Sequence, residues 1–80
     1  MGMTYKYYPL ERYLSIQNNN RIELTFSDIE KIIGDTLPPF AHKYLAWWAN
    51  GGHIQAYAWL NAGWRVDEVK LGDSVVFVRE

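Results

Sequence analysis

The groups that could carry covalent or acid–base chemistry in this 80-residue chain are few and poorly placed for it. His42 and His53 are separated in sequence, and no carboxylate lies between Asp35 and Asp67 to orient either ring. A Ser-His-Asp relay therefore has no third member. Ser15, Ser27 and Ser74 fall at an expected helix end, a helix cap and a turn. No cysteine is present, which removes thiolate nucleophiles, thiolate metal ligands and disulfides together. Two separated histidines fall short of the three or four ligands that a metal site needs. Gly51-Gly52 lacks the Lys-Ser/Thr that completes a phosphate-cradling loop. Asp67 and Glu68, adjacent on an expected strand, point to opposite faces and cannot work as a carboxylate pair. The expectation is a protein that is not an enzyme and holds no cofactor and no metal.

Recognition chemistry is better represented. All four tryptophans fall in the stretch AHKYLAWWANGGHIQAYAWLNAGWRV, Ala41 to Val66. The interval between Asp35 and Asp67 has Lys43, Arg65, His42 and His53 but no acid, inside a chain of net charge −1. Read as a helix from Pro39 to Ala49, this stretch places Ala41, Leu45, Trp48 and Ala49 on one stripe and Phe40, Lys43, Trp47 and Asn50 on another. Successive residues diverge by about 100° on a helix, so Trp48 is expected in the core and Trp47 beside Lys43 and Asn50. That trio suits nucleic acid: a cation for phosphate, an amide that can pair with adenine, and a ring for stacking. His53 follows two glycines at an expected helix N-terminus, where backbone amides can meet an anion. The expected nucleic-acid-binding set is Lys43, Trp47, Asn50, His53 and Gln55, with Lys70 and Arg79 reaching the backbone from a C-terminal hairpin.

The elements that must position these residues follow from periodicity. Pro9 suits a first helical turn, and Leu10, Tyr13, Leu14 and Gln17 share a face until Asn18-Asn19-Asn20 ends the helix. Arg21 to Phe26 alternates as a strand with Ile22, Leu24 and Phe26 inward. Ser27 and Glu30 have the spacing of a capping box at the head of a helix carrying Ile29, Ile32 and Ile33, closed by Gly34. The helix from Pro39 comes next, then a further one from His53 to Ala62. Trp64–Leu71 and Ser74–Glu80 flank Gly72-Asp73 as a two-residue hairpin loop. In that register Val69, Leu71, Val76 and Val78 share one face and Arg65 opposes Glu80, while Trp64, Val66, Val75 and Phe77 share the other. The fold class read here is α+β and winged helix-turn-helix-like, with helices packed on a small antiparallel sheet ending in the hairpin. Residues 1–4 read as a tag remnant or disordered start, and 5–80 as one domain. The aromatic content of 16% can supply the core of so small a domain. No stretch is apolar for the roughly 20 residues of a membrane span, and the expected setting is cytoplasmic.

Lys6-Tyr7-Tyr8-Pro9-Leu10, Thr25 through Gly34, Leu37-Pro38-Pro39, Ala46-Trp47-Trp48-Ala49-Asn50 and Gln55 through Val66 together resemble a small bacterial and phage domain family. Its distinctive pieces are Trp-Trp-Ala-Asn and Ala-Gly-Trp-x-Val. The resemblance implies an autonomous, winged-helix-like domain and leaves the activity open. Such domains often have serine where Phe40 stands and arginine around His42 to Tyr44. Only Lys43 supplies full charge here, which weighs against phosphate-driven affinity.

Two functions follow as expectations. The first is a nucleic-acid-binding module, with DNA as its ligand, using the face of helix 39–49. The alternative is a protein–protein interaction domain (a phage regulator, an inhibitor of a host protein or a homodimer), with Trp47, Tyr57 and Trp59 as anchors. A third possibility is a base-stacking pocket walled by Trp47 and His53.

Overall fold

The computed structural model describes residues 5–80, so the reading of residues 1–4 lies outside the described residues. Along the chain run α1 (Tyr8–Ser15), β1 (Arg21–Thr25), α2 (Phe26–Ile33), α3 (Pro39–Lys43), α4 (Tyr57–Leu60), β2 (Trp64–Lys70) and β3 (Ser74–Arg79). Two 3-10 turns, Leu45–Trp48 and Ile54–Ala56, lie between α3 and α4. The architecture is α+β, four helices on a three-stranded antiparallel sheet of order β1-β3-β2. No helix among the described residues is long and apolar enough to cross a membrane.

Leu10 and Leu14 bury the inner face of α1, with Pro9 in its first turn as the pattern requires. The strand that follows stops one residue early, because Phe26 opens α2 instead of closing β1. The capping box moves with it and differs from the expected Ser27/Glu30 pair. Thr25 Oγ1 accepts from the Asp28 N–H at 2.9 Å, and Asp28 Oδ2 accepts from the Thr25 N–H at 3.0 Å. The buried Phe26 ring explains the shift: starting the helix at Phe26 carries it inward, 5.2 Å from the Trp48 ring. Glu30, released from the cap, accepts the Leu37 N–H at 2.8 Å and so holds the turn between α2 and α3. Gly34 closes α2 with φ 72°, the left-handed cap that glycine adopts without strain.

The hairpin departs from expectation twice. Lys70 pairs with Ser74, so the loop is the three residues Leu71-Gly72-Asp73, with Gly72 at φ +77°. A one-residue slip alone would turn the whole of β2 inside out. A bulge at Asp67 undoes it, with Val66 opposite Phe77 and Glu68 opposite Val76. Trp64, Val66, Val75 and Phe77 therefore keep the helix-facing side, and Val69 joins them opposite Val75. Arg65 opposes Val78, not Glu80, although its Nε lies 3.5 Å from Glu80 Oε2.

Leu10, Leu14, Leu24, Phe26, Ile29, Trp48, Trp59, Trp64, Val75 and Phe77 form one continuous core. Trp48 stacks on Trp59 at 5.9 Å, and Trp59 meets Phe77 at 5.7 Å. Each of the three buried indole N–H groups has an acceptor: Trp48 donates to Ala41 O, Trp59 to Asn50 Oδ1 and Trp64 to Leu14 O.

Thr25→Ala should lower unfolding free energy by about 1 kcal/mol in a urea titration, as loss of an N-cap does, whereas Ser27→Ala should change it by less than ~0.5 kcal/mol. The Thr25 N–H, and then the Thr25 side chain, hold the Asp28 carboxyl below its ordinary pKa. The contribution of this depressed group is complete above the unfolded value near ~4 and is lost as pH falls through the lower folded value. Asp28→Asn should correspondingly flatten the acid limb of the stability–pH curve.

Candidate functional site

The helix expected from Pro39 to Ala49 does not continue past Lys43. Tyr44 is extended at φ −128°, ψ 125°, a 3-10 turn covers Leu45–Trp48, and Ala49 is extended again. A long-range bond accounts for the break. In a continuous α-helix the Ala41 carbonyl would accept the Leu45 N–H; here it accepts the Trp48 Nε1–H at 2.8 Å. Swinging that indole into the core satisfies its donor and withdraws the acceptor that the helix needed.

The break repositions the expected site. The two neighbouring indoles do not diverge: Trp47 lies edge-on to Trp48 at 4.7 Å and edge-on to Tyr7 at 5.7 Å, half-buried between them. Trp48 is core, as expected. Asn50 turns its amide to the sheet, where Oδ1 accepts the Val66 N–H at 2.8 Å and the Trp59 Nε1–H at 2.9 Å, and Nδ2 donates to Val66 O at 3.0 Å. Gln55 is buried and donates to Trp47 O at 2.8 Å. Arg79 lies 4.5 Å over the Trp64 ring and donates to Gln17 O and Asn19 O, latching the last strand to the end of α1. Asn50, Gln55 and Arg79 are thus bonded to groups of the chain itself, Gln55 buried and Asn50 and Arg79 at the surface. Lys43 and His53 are exposed beside the aromatic region, and Lys70 is exposed at the hairpin end. Trp59, expected as an anchor alongside Trp47 and Tyr57, is fully buried.

What the break leaves outside is a run of apolar side chains. Among the described residues, five of the seven large exposed hydrophobics fall between Phe40 and Tyr57: Phe40 (64%), Tyr44 (55%), Leu45 (60%), Ile54 (61%) and Tyr57 (55%). Phe40 and Tyr44 meet edge-on at 5.6 Å. Phe40, Tyr44, Ala46, Trp47 and His53 line a shallow depression of ≈ 400 Å³. A second, of ≈ 440 Å³, is lined by Gly51, Gly52, His53, Ile54, Ala56, Tyr57 and Leu60. His53 borders both, and the first is lined by Trp47 and His53 together. Phe40, Tyr44 and Ile54 were missing from the expected set; their signal was a helical stretch apolar on nearly every side, which is buried twice or meets a partner.

Around this face the charge is sparse. Lys43 makes no ion pair among the described residues, and Arg65 is held away from it by Asp67 and Glu80. On the Tyr7 side, Asp35 pairs with Lys6 at 3.6 Å. Burial, and secondarily the Asp35 charge, raise the Tyr7 pKa. No group of three or more His, Cys, Asp or Glu side chains is gathered as a metal set among the described residues.

A family model described as a domain of unknown function, DUF7662, matches residues 7–80. No curated protein and no solved structure matches the chain.

Asn50→Ala would leave the Val66 N–H and the fully buried Trp59 Nε1–H without their acceptor. It should lower unfolding free energy by roughly 2 kcal/mol or more, read by urea titration of tryptophan fluorescence. Lys43→Ala, which breaks no bond, should stay within ~0.5 kcal/mol of the parent.

Proposed function

The chain belongs to the DUF7662 family, and we propose that it is a non-enzymatic binding module that docks another protein through the aromatic face of residues 40–57. The observation that carries this reading is the exposure of Phe40, Tyr44, Ile54 and Tyr57 around two adjoining depressions. Fully burying an apolar side chain of this size contributes roughly 1.5–3 kcal/mol, and small monomers rarely leave such side chains contiguous without a partner. Half-buried Trp47, braced by Tyr7 and Trp48, offers a rigid ring in the first depression, the kind of anchor that dominates interface energetics.

The order α1-β1-α2-α3-α4-β2-β3, which apart from the extra α4 is that of a winged helix, and the β1-β3-β2 sheet support a winged-helix-like assignment, with α2 and α3 as the helix-turn-helix pair and β2–β3 as the wing. Winged helices serve as protein-interaction modules as well as DNA readers. Nucleic-acid binding is the second reading, favoured by the carboxylate-free interval and the exposed His42, Lys43 and His53. Against it, α3 has only five residues to enter a groove, and the Asn50 and Gln55 amides are already bonded.

A random-peptide display selection tests the leading reading. The wild-type domain should enrich binders, and a Tyr44→Ser/Ile54→Ser variant with an unchanged circular-dichroism spectrum should lose them. Absence of enrichment, or equal retention by the variant, would sink the docking role. Oligonucleotide binding at ~50 mM salt, with a log–log salt slope that falls by about 0.9 in Lys43→Ala, would transfer the function to the second reading.

A further inference from the structure

The partner's chemistry can be narrowed, on the premise that the aromatic face is a docking surface. All nine carboxylates of the chain lie outside residues 36–66, the interval that supplies both depressions. The interval's exposed ionisable groups on α3 and the loop after it are His42, Lys43 and His53, and Lys43 has no ion-pair partner among the described residues. His53 lines both depressions, so a segment occupying the two would have this ring in common between its seats. The linings of both depressions therefore hold no carboxylate, Lys43 is exposed next to Tyr44 of the first, and the acid on the Tyr7 side, Asp35, is paired with Lys6.

We infer that this face takes a short amphipathic segment of another protein, whose apolar side chains fill the two depressions and whose carboxylates meet Lys43 and His53. A second copy of the chain fits poorly. A two-fold dimer pairs the same patch with itself, so Lys43 of each copy would meet only residues of an interval that holds no carboxylate. Nucleic acid would satisfy the charge but would leave Ile54, an aliphatic side chain, without a stacking partner, and the amides that could read bases are spent on Val66 and Trp47. An acidic, apolar peptide satisfies both features at once: the seats give affinity, and charge complementarity sets on-rate and selectivity.

The test uses the composition and salt response of the peptides that the whole domain selects from a random display library. Enriched sequences should combine Leu, Phe or Trp with Asp or Glu. Synthetic copies with Glu→Gln should bind about three- to tenfold more weakly at ~50 mM salt, as loss of exposed ion pairs implies, and Lys43→Glu should weaken the acidic peptides to a similar degree. Neutral or basic enriched sequences, or an affinity indifferent to salt and to Lys43→Glu, would overturn the acidic class while leaving the docking surface in place. Failure of any peptide to prefer the wild type over Tyr44→Ser/Ile54→Ser would instead remove the docking surface itself. A concentration-dependent dimer in light scattering that competes with the peptides, or displacement of them by an oligonucleotide, would replace the inferred partner with a second copy or a nucleic acid.

Discussion

Two hydrogen bonds of the Asn50 carboxamide join the irregular aromatic half of the molecule to its sheet. β2 is an edge strand, and at Val66 its outward N–H and C=O would otherwise face water or another chain. Asn50 meets both, as the backbone of a fourth strand would, and spends its remaining acceptor capacity on the Trp59 indole. One side chain thereby fixes the loop to the sheet, covers part of an exposed edge and satisfies a buried donor. The Trp-Trp-Ala-Asn and Ala-Gly-Trp-x-Val pieces are consequently two halves of one contact: Asn50 from the first grips Val66 from the second.

The segment from Tyr44 to Ala56 needs such a clamp because it has little local structure of its own. Its two 3-10 turns and the short helices that flank it are below the length at which a helix stands alone in water. Order comes from tertiary bonds instead: Trp48 to the Ala41 carbonyl, Gln55 to the Trp47 carbonyl and Asn50 to Val66. The indoles fill the core while their N–H groups bond to carbonyl oxygens, so aromatic bulk enters without orphaned donors.

The same bonds mark where sequence reasoning succeeded and where it stopped. The α1 face of Leu10 and Leu14, the left-handed Gly34 cap and the shared face of Trp64, Val66, Val75 and Phe77 were legible because each depends on local periodicity or backbone chemistry. Trp48, by contrast, is buried as expected although the helix it was read from ends at Lys43. The Thr25/Asp28 cap was not, since two overlapping capping patterns exist and only Phe26's need for the core chooses between them. The hairpin register was missed because a longer loop and a bulge compensate each other over several residues. The end of α3 was missed because a helical wheel carries no record of an indole seven residues away that takes the helix's own acceptor. Of the candidate site, the neighbourhood was legible from its aromatics and missing acids. The particular residues were not, because Asn50, Gln55 and Arg79 look like free polar groups until their internal partners are known.

The placement of Trp47 separates two kinds of change open to this surface. Phe40, Tyr44, Ile54 and Tyr57 stand largely clear of the core, so they can be exchanged with little penalty to folding. Trp47 has one edge against Trp48 and another against Tyr7, and its carbonyl holds Gln55. Altering that ring would disturb the scaffold itself, so under the proposed docking role it is the fixed point about which the outer side chains can vary.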